Sequence, residues 1–181
     1  DAEQQRDVGP RPILAITGTD GKTTTCELAV TMLAAGGVRS LAVGNTDTPL
    51  IDALELDLDA YVVECTSFRL AWTENFRADA AVWLNLAPDH LNWHRDMASY
   101  ESAKAKIFSQ QVESDISIGS SRDSTVLSHL RGSAGRQVTF GFDGDYFFDN
   151  GVLMSPSGPI IAASEMTRSL PHDVTNALAA A

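Results

Sequence analysis

The stretch Ile13-Leu14-Ala15-Ile16-Thr17-Gly18-Thr19-Asp20-Gly21-Lys22-Thr23-Thr24-Thr25 decides the reading of this chain. An apolar run stops in a glycine-containing turn, and a lysine and three threonines follow. That order predicts a strand, a loop that cradles phosphate, and the start of a helix. Backbone N–H groups of such a loop face anionic oxygens, and the helix N-terminus adds the positive end of its dipole. Lys22 is expected to reach outer phosphates and Thr23 to offer its hydroxyl to Mg²⁺. The chain departs from the full G-x-x-x-x-G-K-[ST] pattern, because Ile16 stands where the first glycine would be; the shorter Thr17–Thr23 segment remains.

Working outward, residues 1–11 are polar, contain Gly9-Pro10 and read as a linker. Residues 12–181 read as one domain. A strand at about 12–17 is followed by a helix from Lys22 to the Gly36-Gly37 pair. Further strands are expected at 38–43, 60–64, 80–85, 116–118 and 138–140, with helices at Met97–Phe108 and near Asp123–Leu130. Alternating apolar strands and helices predict an α/β fold with a mainly parallel, doubly wound sheet. After Asp145 the texture changes to short runs broken by Asn150-Gly151 and Pro156-Ser-Gly-Pro159, which predicts a small antiparallel flap.

The chain has 181 residues, 44% of them hydrophobic, enough for one domain with a core. No apolar run approaches the ~20 residues of a membrane-spanning helix, so no membrane insertion is expected. No signal-peptide pattern opens the chain, and Cys26 and Cys65 make no disulfide framework, so a cytoplasmic location is expected. Acidic residues outnumber basic ones 24 to 13, giving a net charge of −11. That balance argues against nucleic acid as a partner and for a solvated acidic surface. The chain begins with Asp1 rather than Met, and Asp173–Ala181 reads as a helix with no stop signal. A domain of a longer polypeptide is the expectation.

Ligands of open α/β sheets bind at the C-terminal strand ends. Asn45, Glu64 with Thr66 and Ser67, and Asn85 with Asp89 and His90 all fall at such ends. From the residues alone, Glu64 is either a Mg²⁺ ligand or a strand-end acid facing solvent. His90 is either a ligand or an ordinary polar loop residue. On the Met97–Phe108 helix the apolar arc carries Met97, Tyr100, Ala103, Ile107 and Phe108. Lys104 falls inside that arc and Lys106 opposite, toward water. Lys104 is therefore either an inward amine that needs a partner or a changed protonation state, or a lysine that snorkels out.

Taken together, these stretches resemble the Mur ligase family over nearly the whole chain, as its central ATP-binding domain. The motifs are Thr17–Thr24, Gly44–Asp47, Glu64–Leu70, Asn85–His94, Tyr100–Lys104 and His172–Ala180. The resemblance implies a three-domain, ADP-forming amide ligase of peptidoglycan precursor synthesis, with the N- and C-terminal domains absent here. The Glu64–Leu70 block implies UDP-MurNAc-L-alanine and D-glutamate as substrates. Residue by residue it implies that Thr19, Asp20, Gly21, Lys22, Thr23, Thr24 and Thr25 bind ATP phosphates and that Asn176 approaches the adenine. Thr23 and Glu64 would hold one Mg²⁺; His90 and a carbamylated Lys104 would serve a second. Lys22, His90 and Lys104 would be catalytic, and Asn45, Thr66 and Ser67 would face the muramoyl substrate. The chain departs from the family pattern at Asp20, Thr46, Asp47, Cys65, Thr66, Arg69, Asn92, Leu170 and Asp173. The isolated chain is expected to bind nucleotide weakly and to ligate nothing. Another Mur ligase, a folylpolyglutamate-synthase-like ligase and a noncatalytic nucleotide-binding module stay open as alternatives.

Overall fold

A computed structural model describes residues 11–181. The linker expected at 1–11 therefore lies, apart from Arg11, outside the described residues. Arg11 is docked: its guanidinium donates to the carbonyl of Leu56 at 2.8 Å and to the Tyr61 hydroxyl.

In chain order the elements are β1 (Ile13–Thr17), α1 (Lys22–Ala35), β2 (Ser40–Gly44), α2 (Leu50–Ala53), β3 (Ala60–Glu64), α3 (Ser67–Ala71), β4 (Ala80–Trp83) and α4 (Met97–Ala105). Then follow β5 (Ile116–Ser120), α5 (Ser124–Arg131), β6 (Arg136–Phe140), β7 (Phe147–Asp149), β8 (Val152–Ser155), β9 (Gly158–Ala162) and α6 (Pro171–Ala180). Strands β1 to β6 form a parallel sheet in the order β2-β3-β1-β4-β5-β6. Strands β7, β8 and β9 form the separate antiparallel flap.

Burial on both faces explains why the strands read as unbroken apolar runs. Neighbouring residues in one strand enter opposite halves of the core. Ala15, Val63 and Trp83 join one cluster with Leu70, Ile107 and Leu130. Ile16, Val62 and Val82 join the other with Cys26, Leu153 and Leu178. The first cluster is covered by α3, α4 and α5, the second by α1, α6 and the flap. Asn150 and Gly151 turn the β7–β8 hairpin with φ of 46° and 84°. Two consecutive positive φ values are what a tight two-residue hairpin requires, and Asn-Gly adopts them at low cost.

Helices α2 and α3 were not expected from the sequence. They are four and five residues long, too short to show a 3.6-residue period. Helix α3 is started by a cap, the Thr66 hydroxyl accepting the Arg69 N–H at 3.3 Å. Helix α4 ends at Ala105 rather than Phe108, although Ile107 and Phe108 stay buried in the turn that follows.

The chain crosses over β1 between β3 and β4, so the C-terminal ends of β1, β3 and β4 open into one crevice. At the rim, β2 ends in Gly44 with φ of 101°, and a Cβ placed there would lie 2.6 Å from the Glu64 carbonyl oxygen. Gly44→Ala therefore combines a left-handed φ with a backbone collision. Urea unfolding is expected to show a loss of about 2 kcal/mol or more. An unchanged midpoint would mean that the β2–β3 approach is looser than described.

Candidate functional site

The crevice is a cleft of about 380 Å³ lined by Thr19, Asp20, Gly21, Lys22, Thr23, Thr24, Asn45, Glu64, Thr66, Phe68 and His90. The ends of β1, β2 and β3, the loop after β4 and the start of α1 build it. The β1–α1 loop is pinned from the neighbouring strand. The Asn85 side-chain oxygen accepts the N–H groups of Thr19 and Asp20, each at 2.9 Å, and its amide nitrogen donates to the Asp20 carbonyl at 3.1 Å. The Thr19 hydroxyl meets the Tyr100 hydroxyl at 3.1 Å and accepts the Ala87 N–H at 2.9 Å.

Those bonds alter the expected phosphate cradle. The family resemblance implies a cradle from Thr19 to Thr25. Thr19 and Asp20 already have acceptors on Asn85. Among the described residues no acceptor stands on the N–H groups of Gly21, Lys22, Thr23 or Thr24, while Thr25 N–H donates to the Gly21 carbonyl at 2.9 Å. The available amides are thus the first turn of α1 and the residue before it. Gly21 makes the corner with φ of 86°. The Thr25 hydroxyl, expected in the cradle, is fully buried and donates to the Gly21 carbonyl at 2.9 Å.

Glu64 is 2% exposed. Its two carboxylate oxygens accept from neutral groups, the Thr23 hydroxyl at 2.7 Å and the Asn45 amide at 3.1 Å. No Lys, Arg or His among the described residues pairs with it. The sequence alternative of a solvent-facing acid is thereby removed. Burying a carboxylate without a counter-charge is costly, so this end of the cleft is suited to a cation.

Lys104 is 1% exposed. It does not snorkel: its amine donates to the Gly18 carbonyl at 2.6 Å and lies 4.8 Å from the centre of the Tyr100 ring. Lys22 donates to the same Gly18 carbonyl at 3.0 Å and to the Thr19 carbonyl at 2.8 Å. Burial, and then the nearby Lys22 charge, push the Lys104 amine down to about 7. Lys106, expected to face water, is half-buried and donates to the carbonyls of Ala71 and Thr73 at 2.7 and 3.0 Å. Those bonds tie α4 to the end of α3.

His90 takes a φ of 55°, uncommon outside glycine, and its ring packs against Phe68 at 4.8 Å between centroids. Its Nε2 lies 3.4 Å from Asp89 Oδ2. The Thr66-Ser67 pair divides. Thr66 lines the cleft, whereas Ser67 is buried with its hydroxyl 2.9 Å from His94 Nε2. Burial, with His90 and Lys104 nearby, holds the His94 imidazole below its ordinary range. Asn176, on α6, packs against the loop: a Cβ at Gly21 would collide with its amide. Asp173 acts in the α6 cap, accepting the Leu170 N–H at 3.2 Å and pairing with Arg168 at 3.3 Å. The sequence reading missed the roles of Asn85, Tyr100 and His94 as supports of the cleft. Only their place at a strand end, in the apolar arc or four residues after His90 marked them.

A family model described as "Mur ligase middle domain" matches residues 16–181. The chain is 40% identical over 179 residues to the UDP-N-acetylmuramoylalanine--D-glutamate ligase of Frankia casuarinae, covering 93% of this chain and 38% of that protein. It is 38% identical over 188 residues to the ligase of the same name from Thermobifida fusca, covering 93% and 40%. The chain thus spans about two fifths of the length of these relatives. Among solved structures, MurF ligase from Thermotoga maritima in complex with ADP superposes with a TM-score of 0.71 at 18% identity, over 94% of this chain and 44% of that one. At that identity the likeness shows the fold.

The position of Lys104 sets a pH dependence of stability. Its amine titrates near 10.5 in an unfolded chain and near 7 in the folded one. Between these values the unfolded chain binds a proton that the folded chain has released, so the Lys104 contribution to stability rises with pH. Below that window the folded protein carries the full cost of a buried charge. Lys104→Met is expected to be more stable than the parent at about pH 6.5, with the advantage shrinking toward about pH 9. Urea unfolding of both proteins measures this, and a difference independent of pH would contradict the burial of the amine.

Proposed function

The chain belongs to the Mur ligase middle-domain family, and on that footing we propose that it is the central ATP-binding domain of a three-domain, ADP-forming ligase that adds D-glutamate to UDP-MurNAc-L-alanine. The observation that carries the reading is Glu64, a buried carboxylate without a cationic partner among the described residues, bonded to the Thr23 hydroxyl at the mouth of an amide-lined loop. Relatives carrying the D-glutamate ligase name at 40% and 38% identity support the substrate assignment.

In this reading the N–H groups of Gly21 to Thr24 receive phosphate oxygens of ATP, and Lys22 leaves the Gly18 and Thr19 carbonyls to meet the outer phosphates. Thr24 lines both the cleft and an apolar groove of about 500 Å³ between α1 and α6. The nucleoside would lie toward that groove, past Gly21 and Asn176. Thr23 and Glu64, a hydroxyl and a carboxylate, are hard oxygen donors that suit Mg²⁺. Bound Mg²⁺ would offset charge on the transferred phosphoryl group. His90 and Lys104 would serve a second ion, Lys104 after its neutral amine adds CO₂ to give a carbamate and a proton. An amine brought down to about 7 is substantially neutral at physiological pH, as that addition requires. Asn45 and Thr66 would face the muramoyl substrate, and Ser67 would act behind them through His94.

The reaction transfers the γ-phosphoryl group of ATP to the L-alanine carboxylate, releasing ADP. The amine of D-glutamate attacks the acyl phosphate, the amide forms, and phosphate departs. Phosphorylation replaces an oxide leaving group with phosphate, and the cleft's part is charge stabilisation and positioning.

Lys22→Ala is expected to abolish ATP binding measured by calorimetry on this chain. In the full-length ligase, phosphate release should depend on UDP-MurNAc-L-alanine and D-glutamate together. Lys104→Ala should lower turnover by about a hundredfold or more, with partial recovery in added acetate. Turnover with a different amino acid in place of D-glutamate would assign the chain to another member of the family.

A further inference from the structure

The amide of Asn85 stands at the base of the β1–α1 loop and makes three of that loop's hydrogen bonds. Its oxygen accepts the N–H groups of Thr19 and Asp20 at 2.9 Å each, and its nitrogen donates to the Asp20 carbonyl at 3.1 Å. The Asn85 backbone adds to this, since its carbonyl accepts the Thr19 N–H at 3.1 Å and the Trp83 indole N–H at 3.1 Å. The side chain thus copies a peptide unit laid alongside the loop. The next residue is anchored too: Leu86 N–H donates at 2.7 Å to Asp123, whose other oxygen caps α5. Trp83, on the same strand, is fully buried. Asn85 is therefore held from both sides by parts of the structure that do not belong to the loop.

This arrangement divides the loop's donors in two. Thr19 and Asp20 spend theirs on Asn85, while those of Gly21, Lys22, Thr23 and Thr24 have no acceptor among the described residues. A glycine-rich loop with every amide unspent would wrap its anion with more donors, but it would have to be ordered by that anion. Here the first half of the loop is ordered by the protein, and Ile16, which stands where the longer pattern has its first glycine, is a buried residue of β1. Close packing beneath supports this: a Cβ on Gly18 would lie 2.9 Å from Leu84 Cβ and 3.4 Å from Asn85 Oδ1.

We propose that Asn85 is a positioning residue for nucleotide binding: by occupying the N–H groups of Thr19 and Asp20, it aims those of Gly21 to Thr24 at the phosphates and confines phosphate contact to that turn. The proposal rests on the phosphate-binding reading given above. It adds that the loop is set before the ligand arrives, which lowers the ordering cost of binding.

The test uses the 181-residue chain, with backbone amides assigned by NMR. In the ligand-free protein the Thr19 and Asp20 amides should be protected from hydrogen exchange and those of Gly21 to Thr24 should exchange freely. ATP should shift and protect the second group. In Asn85→Ala, protection of Asp20 should be lost while Thr19 keeps the Asn85 backbone carbonyl, and the Kd for ATP should rise at least about tenfold, with circular dichroism unchanged. Asn85→Asp keeps the acceptor oxygen for Thr19 and Asp20 and loses the donor to the Asp20 carbonyl, so it should keep the protection of those two amides while weakening ATP by adding a negative charge beside the phosphates. This second variant serves even where the alanine form folds poorly. Rapid exchange at Thr19 and Asp20 in the parent would overturn the proposal, as would an unchanged Kd in Asn85→Ala. ATP binding to the parent with no effect on Gly21 to Thr24 would overturn the phosphate reading itself.

Discussion

The carboxylate of Glu64 is the charge around which the cleft is arranged. It sits at the end of β3, fully surrounded, with Thr23 from α1 on one oxygen and Asn45 from beyond β2 on the other. Three strand ends converge on it because the sheet order places β3 between β1 and β2. One neutral donor sits on each oxygen, and its charge has no cationic partner among the described residues. A cation would answer that electrostatic demand. The overall charge of −11 makes the point sharper, since Lys22, the lysine that lines the cleft, is held there on backbone carbonyls.

Both lysines converge on one acceptor, the Gly18 carbonyl. Burial does most to move the Lys104 amine toward neutrality, and the Lys22 ammonium on the same oxygen adds to it. Tyr100 completes the arrangement. Its ring lies beside the Lys104 amine and its hydroxyl touches Thr19. Helix α4 thereby carries a support for the loop as well as a buried amine. The bonds from Lys106 to the end of α3 fix α4 in turn against the segment that bears Thr66 and Phe68. Loop, amine and aromatic wall are thus parts of one packed unit.

The departures from the family pattern have local physical accounts in part. Asp173 takes a place in the first turn of α6, where a carboxylate caps a free N–H and meets the positive end of the helix dipole. Thr46 bonds back to the Ala42 carbonyl at 3.1 Å and shapes the turn after β2. Arg69 has a backbone role at the α3 cap, through its N–H on Thr66. The structure explains nothing about Asp20 beyond its backbone bonds to Asn85.

Much of this protein was legible from the chain alone because its signals are local. The strand–loop–helix order at Ile13–Thr25, the acid after Tyr61-Val62-Val63, and the Asn150-Gly151 turn each depend on residues within a few positions of one another. Burial on both faces of a parallel sheet leaves a one-dimensional trace, the unbroken apolar run, so the fold class followed. The position of Lys104 inside the apolar arc was likewise readable from a period of 3.6 residues. What the sequence left open depends on contacts between residues far apart in it. Asn85 and Thr19 are 66 positions apart, Lys104 and Gly18 are 86, and Ser67 and His94 are 27. Whether Lys104 is buried or snorkels, which loop amides are spent, and which member of the Thr66-Ser67 pair faces the cleft follow from packing between strand ends. Only the tertiary structure decides them, because a hydrogen bond between distant residues leaves no periodic trace in the chain.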